Sequence, residues 1–526
     1  MSGDELARVD FPAGPDGRRS TSALGRAVVA DALGQVAPAA AAEAGRESNW
    51  RSGYLTHFRA LIEAGLPARQ TALSVARDGL ASLHERMRVV GPAGPGEAET
   101  DLAGPGEAET SLAALVSAPA RHGLTAVTVA GSGPPEGELS LPYHGERLRG
   151  GALQRRLDTW VSEGVIEPSC AAAVQAVAAN PGWLALPGRT VVALGAGAEV
   201  GPLPILLSWG ARVIGVDLPR PAIWSRLLET ARRSGGTLLV PVAHDAAGRN
   251  RPDAAVQNGA DAADQDLASR AGFDLASDVP AVADWLAGLD GPLVLGNYVY
   301  ADGADNVRVA SAVDALTVRL QAARPDVSLG FLATPTDVFA VPADAVGQSA
   351  RAYLTRSRAA RLGGGPLHAL SGGRLLHRAY PHDADPGICD SLIPQQGPNY
   401  ALAKRLQRWR ATVARDGGTA VSMNVAPPTL TRSVTKNRVL AAAYAGAHRF
   451  GVEVFEPATT RTLMAALLVY DLHAAGAAQP HPWQDEAHAA AHGGLWRIAY
   501  TPRSALGLAT LLGYAATVGR ARGSGS

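Results

Sequence analysis

TVVALGAGAEVGPLPILLSWGARVIGVDL, residues 190–218, is the stretch that decides the fold. Its opening, TVVAL, is β-branched or apolar at every position, as a strand buried on both faces requires. Gly195, Gly197 and Gly201 follow within seven residues, and the chain then enters an apolar helical run, VGPLPILLSWG. A second strand-like run, ARVIGVDL, ends at Asp217. Working outward, the alternation continues. PAIWSRLLETARRSG, VPAVADWLAGL and NVRVASAVDALTVRLQAARP carry helical periodicity, whereas GTLLVPVA, GPLVLGNYVY and DVSLGFLATP read as strands. Strands separated by helices of this length imply βαβ units, and therefore an α/β domain with a doubly wound parallel sheet.

The glycines carry a chemical expectation. Glycine at the end of a first strand lets the chain turn tightly and lets a pyrophosphate approach backbone N–H groups at the following helix. Asp217, twenty residues after Gly197, stands where an acid accepts hydrogen bonds from a ribose diol and repels a 2′-phosphate. Arg220, close behind, is suited to a 2′-phosphate instead. Nicotinamide dinucleotides and S-adenosylmethionine both fit this pair of elements.

A second constellation lies nearly two hundred residues later, in GPNYALAKRLQRWRATVARDGGTAVSMNVAPPTLTRSV. Tyr400 and Lys404 are four apart at the start of an amphipathic helix and so share a face. An ammonium beside a phenol favours the phenolate and lowers the phenol pKa. A tyrosine tuned in this way passes a proton to or from a substrate oxygen while hydride moves at the neighbouring carbon. A Tyr and a Lys four apart are commonplace by themselves; the surrounding order of elements gives the pair its meaning.

At this point the chain resembles the short-chain dehydrogenase/reductase family, over roughly residues 188–440. The Tyr400-x-x-x-Lys404 helix is followed by a strand, Pro427-Pro428, Thr429 and Thr431, in that family's order. Gly197-x-x-x-Gly201 matches the first part of its glycine motif. AGFDLASDVPAVADWL places Asp274 near an adenine ring, and GNYV puts Asn297 where the family has Asn-Asn-Ala-Gly. The resemblance implies a Rossmann-like domain, NAD or NADP as cofactor, a small-molecule alcohol or carbonyl substrate, and association into homo-oligomers. It also implies that Lys404, Thr429 and Thr431 contact the cofactor. In four respects the chain departs from the pattern. Leu203 replaces the last glycine of the motif. His244–Ala271 looks like an insertion. The family's serine has no counterpart just before the tyrosine, so Thr334 or Thr336, at the end of the fifth strand, takes its place as donor to the substrate oxygen, with Ser391 as a competitor. The family's asparagine in the fourth helix has no clear equivalent, Asn306 falling too early.

The remaining sequence flanks this domain. Residues 1–20 are polar and rich in Gly and Pro, the composition of a disordered tail. Residues 21–185 read as mostly helical, with a strand at GLTAVTVAG and a surface loop at 91–110 that contains AGPGEAET twice. Gly65 and Pro67 divide the helical run from Leu55 to Val90 in two. The Rossmann-like domain spans 186–470, with inserts near 244–271 and 345–395, the second expected to cap the active site. Residues 471–526 form a helical extension. There His481, Asp485, Glu486, His488 and His492 cluster, and a helix would place His488 and His492 one turn apart, but no further ligands accompany them and no metal is expected.

Composition narrows the function further. Lysine plus arginine and aspartate plus glutamate each number 48 in 526 residues, so net charge gives no reason to expect nucleic acid or an anionic membrane as partner. The apolar run Ala505–Gly519 falls short of the ~20 residues of a spanning helix. The N-terminus lacks the apolar core of a signal peptide. The two cysteines, Cys170 and Cys389, form no pair motif, which fits a reducing cytoplasmic compartment. The leading expectation is an NAD(P)-dependent oxidoreductase. An S-adenosylmethionine-dependent methyltransferase and a non-catalytic dinucleotide-binding scaffold or sensor are the alternatives.

Overall fold

The computed structural model describes residues 7–92, 107–244, 259–357, 364, 366–372, 374–474 and 478–523. A seven-stranded, mostly parallel sheet with helices on both faces forms its centre, so the chain is mixed α/β. The strands of this sheet are β1 (Leu124–Ala130), β2 (Thr190–Leu194), β3 (Arg212–Val216), β4 (Thr237–Ala243), β5 (Leu293–Asn297), β6 (Ser328–Ala333) and β7 (Val421–Val425). They lie in the order β7-β6-β5-β2-β3-β4-β1. Six run parallel; β1 pairs antiparallel with β4, from Leu124 opposite Ala243 to Ala130 opposite Thr237.

Alternation along the strands divides the core. Val192, Leu194, Ile214 and Val216 join a cluster with Leu24, Val28 and Phe58 of the N-terminal helices. Val191, Ala193 and Val213 point the other way, into a cluster with Leu157, Trp160, Val174, Leu463 and Leu467. Period-two side chains from one strand thus build two apolar layers. The chain winds outward from β2 through β3 to β4, then crosses back to β5 and winds outward through β6 to β7. The reversal between β2 and β5 opens a crevice beyond the carboxyl ends of the strands, the general position of ligand sites in such sheets.

Several expectations need correction. Part of the polar N-terminal tail is structured: Arg8–Asp10 forms a strand paired with Arg88–Pro92. Val9 and Phe11 alternate into the core, and the Val9 N–H donates to Ala276 O at 2.8 Å, which anchors the segment. The first copy of the repeated octapeptide lies outside the described residues, as does half of the insert at 244–271, residues 245–258; the second copy ends in a strand, Glu107–Ser111. The strand at 124–130 is no part of a separate helical region, since it closes one edge of the central sheet. Among the described residues no helix is long and apolar enough to cross a membrane.

Candidate active site

A cavity of about 1640 Å³ opens at the carboxyl ends of β2, β3, β5, β6 and β7. Single ligand pockets commonly measure about 300–1,000 Å³, so this one has room for two ligands side by side. Its wall includes Gly195, Gly197, Asp217, Asp274, Thr334, Tyr400, Lys404, Thr429 and Thr431, which the sequence singles out from six separate segments. Gly201, Asn297 and Thr336 do not reach this wall.

The glycine turn owes its shape to the absence of side chains. Gly195 has φ +77°, and a Cβ there would meet Tyr298 O at 2.9 Å. Asp217 closes the turn from below: its carboxylate accepts the Gly197 N–H at 2.7 Å and the Leu218 N–H at 2.8 Å. Burial raises the Asp217 carboxyl above its ordinary value, against those N–H groups and the nearby Arg220 and Arg226. The N–H groups of Gly195 and Ala196 are engaged by Val216 O, that of Ala198 by Gly195 O, and that of Gly201 by Ala198 O. The following helix, Leu203–Ser208, is one and a half turns long and follows Pro202, which has no N–H. Positive charge at the turn therefore comes mainly from side chains, Arg220 and Arg432, which line the cavity with Glu199. Arg432 also donates its backbone N–H to Glu199 Oε2 at 2.9 Å.

On the opposite wall, the helix Gly397–Asp416 presents Tyr400 and Lys404. Thr334, just past the end of β6, lies near the Tyr400 phenol on the same cavity wall and favours its ionised form. The Thr334 hydroxyl also meets the Thr336 hydroxyl at 2.8 Å, and Thr336 donates to Gln396 Oε1 at 2.8 Å. Lys404 Nζ donates to Leu332 O at 3.3 Å and to Gln407 Oε1 at 3.1 Å, and Gln407 Nε2 donates in turn to Asn297 Oδ1 at 3.3 Å. Asn297 thus touches the site through Gln407 rather than directly. Tyr400 and Lys404 stay partly accessible through the cavity while protein surrounds them on the other sides. Burial pushes the Tyr400 phenol up to about 12, opposed by Thr334, and draws the Lys404 ammonium down to about 8. The expected lowering of the phenol by the lysine is therefore not what this geometry produces. Desolvation dominates instead, and the ammonium is directed at Leu332 and Gln407.

Behind the pair lies a buried ion network with no local signature in the sequence. Asp337 accepts from Arg405 Nη2 at 2.7 Å and from Arg408 Nη1 at 2.6 Å, and all three side chains are 1–2% exposed. Arg408 also binds Glu486 at 2.5 Å. Because Asp337 directly follows Thr336, the network locks the Tyr400 helix to the end of β6. Tyr300, its ring edge-on to Tyr400 with centroids 6.1 Å apart, and Tyr444 complete an aromatic wall. Arg8, Thr21, Ser22 and Arg51 bring the N-terminal region to the same cavity. Asp337, Arg405 and Arg408 adjoin the threonines and the Tyr400 helix that the sequence points to, and Tyr300 closes GNYVY, but nothing in the sequence pairs them.

The other sequence-based candidates sit elsewhere. Thr429 is buried, donating to Pro427 O at 2.8 Å, and Thr431 pairs with Ser433 at 3.0 Å; both keep a face on the cavity. Ser391 is remote from Tyr400 in its bonding, meeting Cys389 Sγ at 3.1 Å. The described part of the insert at 345–395 packs on the C-terminal extension, through Ser349 to Ile498 O and Tyr380 to Trp496 O, and among its described residues only Gln395 lines the cavity. Asn306 does line it, and accepts the Ala301 N–H at 3.4 Å. The C-terminal histidines are dispersed: the helix Pro482–Ala487 stops before His488, so His488 and His492 share no helical face. His492 pairs with Glu167 at 2.8 Å, and among the described residues no cluster of three or more His, Cys, Asp or Glu could hold a metal ion. In comparisons with known proteins, no family model matches the chain and no curated protein resembles it significantly.

Proposed function

We propose that this chain is an oxidoreductase that uses NAD or NADP to interconvert an alcohol and a carbonyl compound. The observation that carries the reading is the meeting of Tyr400, Thr334 and Lys404 with the glycine turn and Asp217 around one cavity, at the switch point of the sheet. The order of the six parallel strands is that of a Rossmann-like dinucleotide-binding domain, which supports the same cofactor class. Asp217 and Asp274 would face the adenosine half. Arg220 and Arg432 would serve the phosphates in place of a helix N-terminus. Lys404, Thr429 and Thr431 would border the nicotinamide half.

A reduced nicotinamide, when bound, supplies the hydride. The chain's own part is to orient the carbonyl and move the proton. With its phenol held near 12, Tyr400 is protonated at neutral pH and acts as the acid that donates to the substrate oxygen. Thr334 accepts or donates beside it and fixes the oxygen's position. Lys404, directed by Leu332 and Gln407, keeps its charge at neutral pH despite burial.

Association of like chains, implied by the resemblance, is supported by exposed Val439, Leu511, Leu512 and Tyr514 on the helices Arg438–Ala447 and Pro502–Gly523. The free, buried Cys170 and Cys389 fit a cytoplasmic setting. Tyr400→Phe tests the assignment: turnover is lost while dinucleotide affinity is kept. Undiminished turnover in that variant refutes the role of Tyr400. Dinucleotide binding without turnover of any carbonyl by the unaltered protein points to the scaffold or sensor reading. A methyltransferase reading has one observation in its favour. The internally satisfied glycine turn and Glu199 would suit S-adenosylmethionine, a ligand with no phosphates.

A further inference from the structure

Next to the main cavity lies a second, smaller pocket of about 70 Å³, between the helices Arg438–Ala447 and Pro502–Gly523. Pro428 and Tyr444 belong to the walls of both, so the pocket continues the main cavity on the far side of Tyr444. Thr336 lines the small pocket while its hydrogen-bonded neighbour Thr334 lines the large one, 2.8 Å away between hydroxyls. The Thr334–Thr336 pair thus sits on the border between a polar chamber and an apolar one.

The apolar character is consistent around the pocket. Ile393, Ala443, Val452, Leu495, Ile498 and Leu506 form most of its wall. Of the polar side chains there, Thr336 is satisfied by Thr334 and Gln396, Ser391 by Cys389, and Arg503 by an ion pair with Asp390, which leaves the Tyr444 phenol at the border with the main cavity. Apart from that phenol, nothing in the pocket rewards a charged or hydrogen-bonding group, and a polar group entering it would forfeit its hydration.

We propose that the substrate carries a short apolar group of about three carbons, which passes Tyr444 into this pocket while its oxygen stays at Tyr400 and Thr334. The inference rests on the reading of Tyr400 as the reactive wall and adds the substrate class. Size sets the carbon number. The pocket's 70 Å³ is about half of the ~150 Å³ void that takes up the six carbons of benzene, which leaves room for about three carbons.

The test is binding of straight-chain 2-alkanones, from propanone to octanone, to the full chain without cofactor, followed by ligand-observed NMR. Affinity should rise about fourfold per methylene, the gain from burying one CH₂. It should level off near 2-pentanone, whose alkyl arm has about three carbons. Ala443→Leu, which fills the pocket, should bring the plateau to shorter ketones, and Leu506→Ala, which widens it, should move the plateau to longer ones. Opposite shifts cannot both come from damage to the fold. A plateau that neither variant moves, or affinity independent of chain length, overturns the proposal. Because no nicotinamide is present, a plateau that shifts as expected upholds the pocket even where turnover assays fail. Turnover with no dependence on chain length overturns the pocket alone.

Discussion

Replacing Asp337 by alanine should cost the fold about 3–5 kcal/mol, the usual penalty for leaving a buried charge without its partner. The structure shows why the upper part of that range applies. Arg405 is 2% exposed, and among the described residues its one ion-pair partner is Asp337 and its Nε lacks a hydrogen-bond partner. Arg408 is less affected, since it retains Glu486 and Val338 O. Asp416→Ala provides the control. Asp416 also binds two arginines, Arg69 at 2.9 Å and Arg77 at 2.6 Å, but those side chains are 37% and 47% exposed. Solvent-exposed pairs contribute about 0–1 kcal/mol each, so this variant should lose little. Urea unfolding followed by tryptophan fluorescence reads the difference, because Trp409 lies on the same helix. A double variant, Asp337→Leu with Arg405→Met, should recover much of the loss by removing both charges together. Equal losses in Asp337→Ala and Asp416→Ala would refute the reasoning, as would a double variant no better than Asp337→Ala.

Lys404 yields a pH prediction. Its folded-state value of about 8 lies below its ordinary 10.5, so between those values the unfolded chain holds a proton that the folded chain has released, and stability rises with pH there. Lys404→Met should remove that part of the slope, read as the difference in urea midpoints between the two proteins at pH 7.5 and 10; parallel midpoints contradict it. In the proposed reaction the charged lysine is the active form, so kcat/KM should fall as pH rises through about 8. Thr334→Val should lower turnover by roughly 10–100-fold, the kinetic equivalent of one lost hydrogen bond in a buried site, and Thr334→Ser should restore most of it. A larger loss from Thr336→Val than from Thr334→Val would move the role to Thr336.

The central sheet was legible because its strands are short apolar runs between amphipathic helices, and Gly195, Gly197 and Asp217 mark its first turn. The site was legible in its parts for the same reason: Thr334 and Thr429 follow strands, and Tyr400 opens a helix. What the sequence concealed depends on depth and distance. Asp337 meets Arg405 and Arg408 across about seventy residues of chain, a separation that leaves no periodic trace. Depth also reversed the expected tuning of Tyr400, since desolvation is a property of what packs around a side chain. The N-terminal tail misled by composition: Gly and Pro surround Val9 and Phe11, but two well-buried apolar side chains suffice to hold the strand. His488 and His492 have helical spacing without a helix, because the chain leaves helical geometry at His488 and Ala489 takes φ +58°.

Thermal unfolding of the purified protein, measured side by side with NADH, NADPH and S-adenosylmethionine, tests the proposed role of the large cavity as a nicotinamide dinucleotide site. A ligand at a hundred times its dissociation constant adds about 2.7 kcal/mol to stability, a shift that is easily resolved. In the proposed role a reduced nicotinamide dinucleotide stabilises the protein and S-adenosylmethionine does not. Stabilisation by S-adenosylmethionine alone would contradict it and leave Tyr400 and Lys404 without the proposed role.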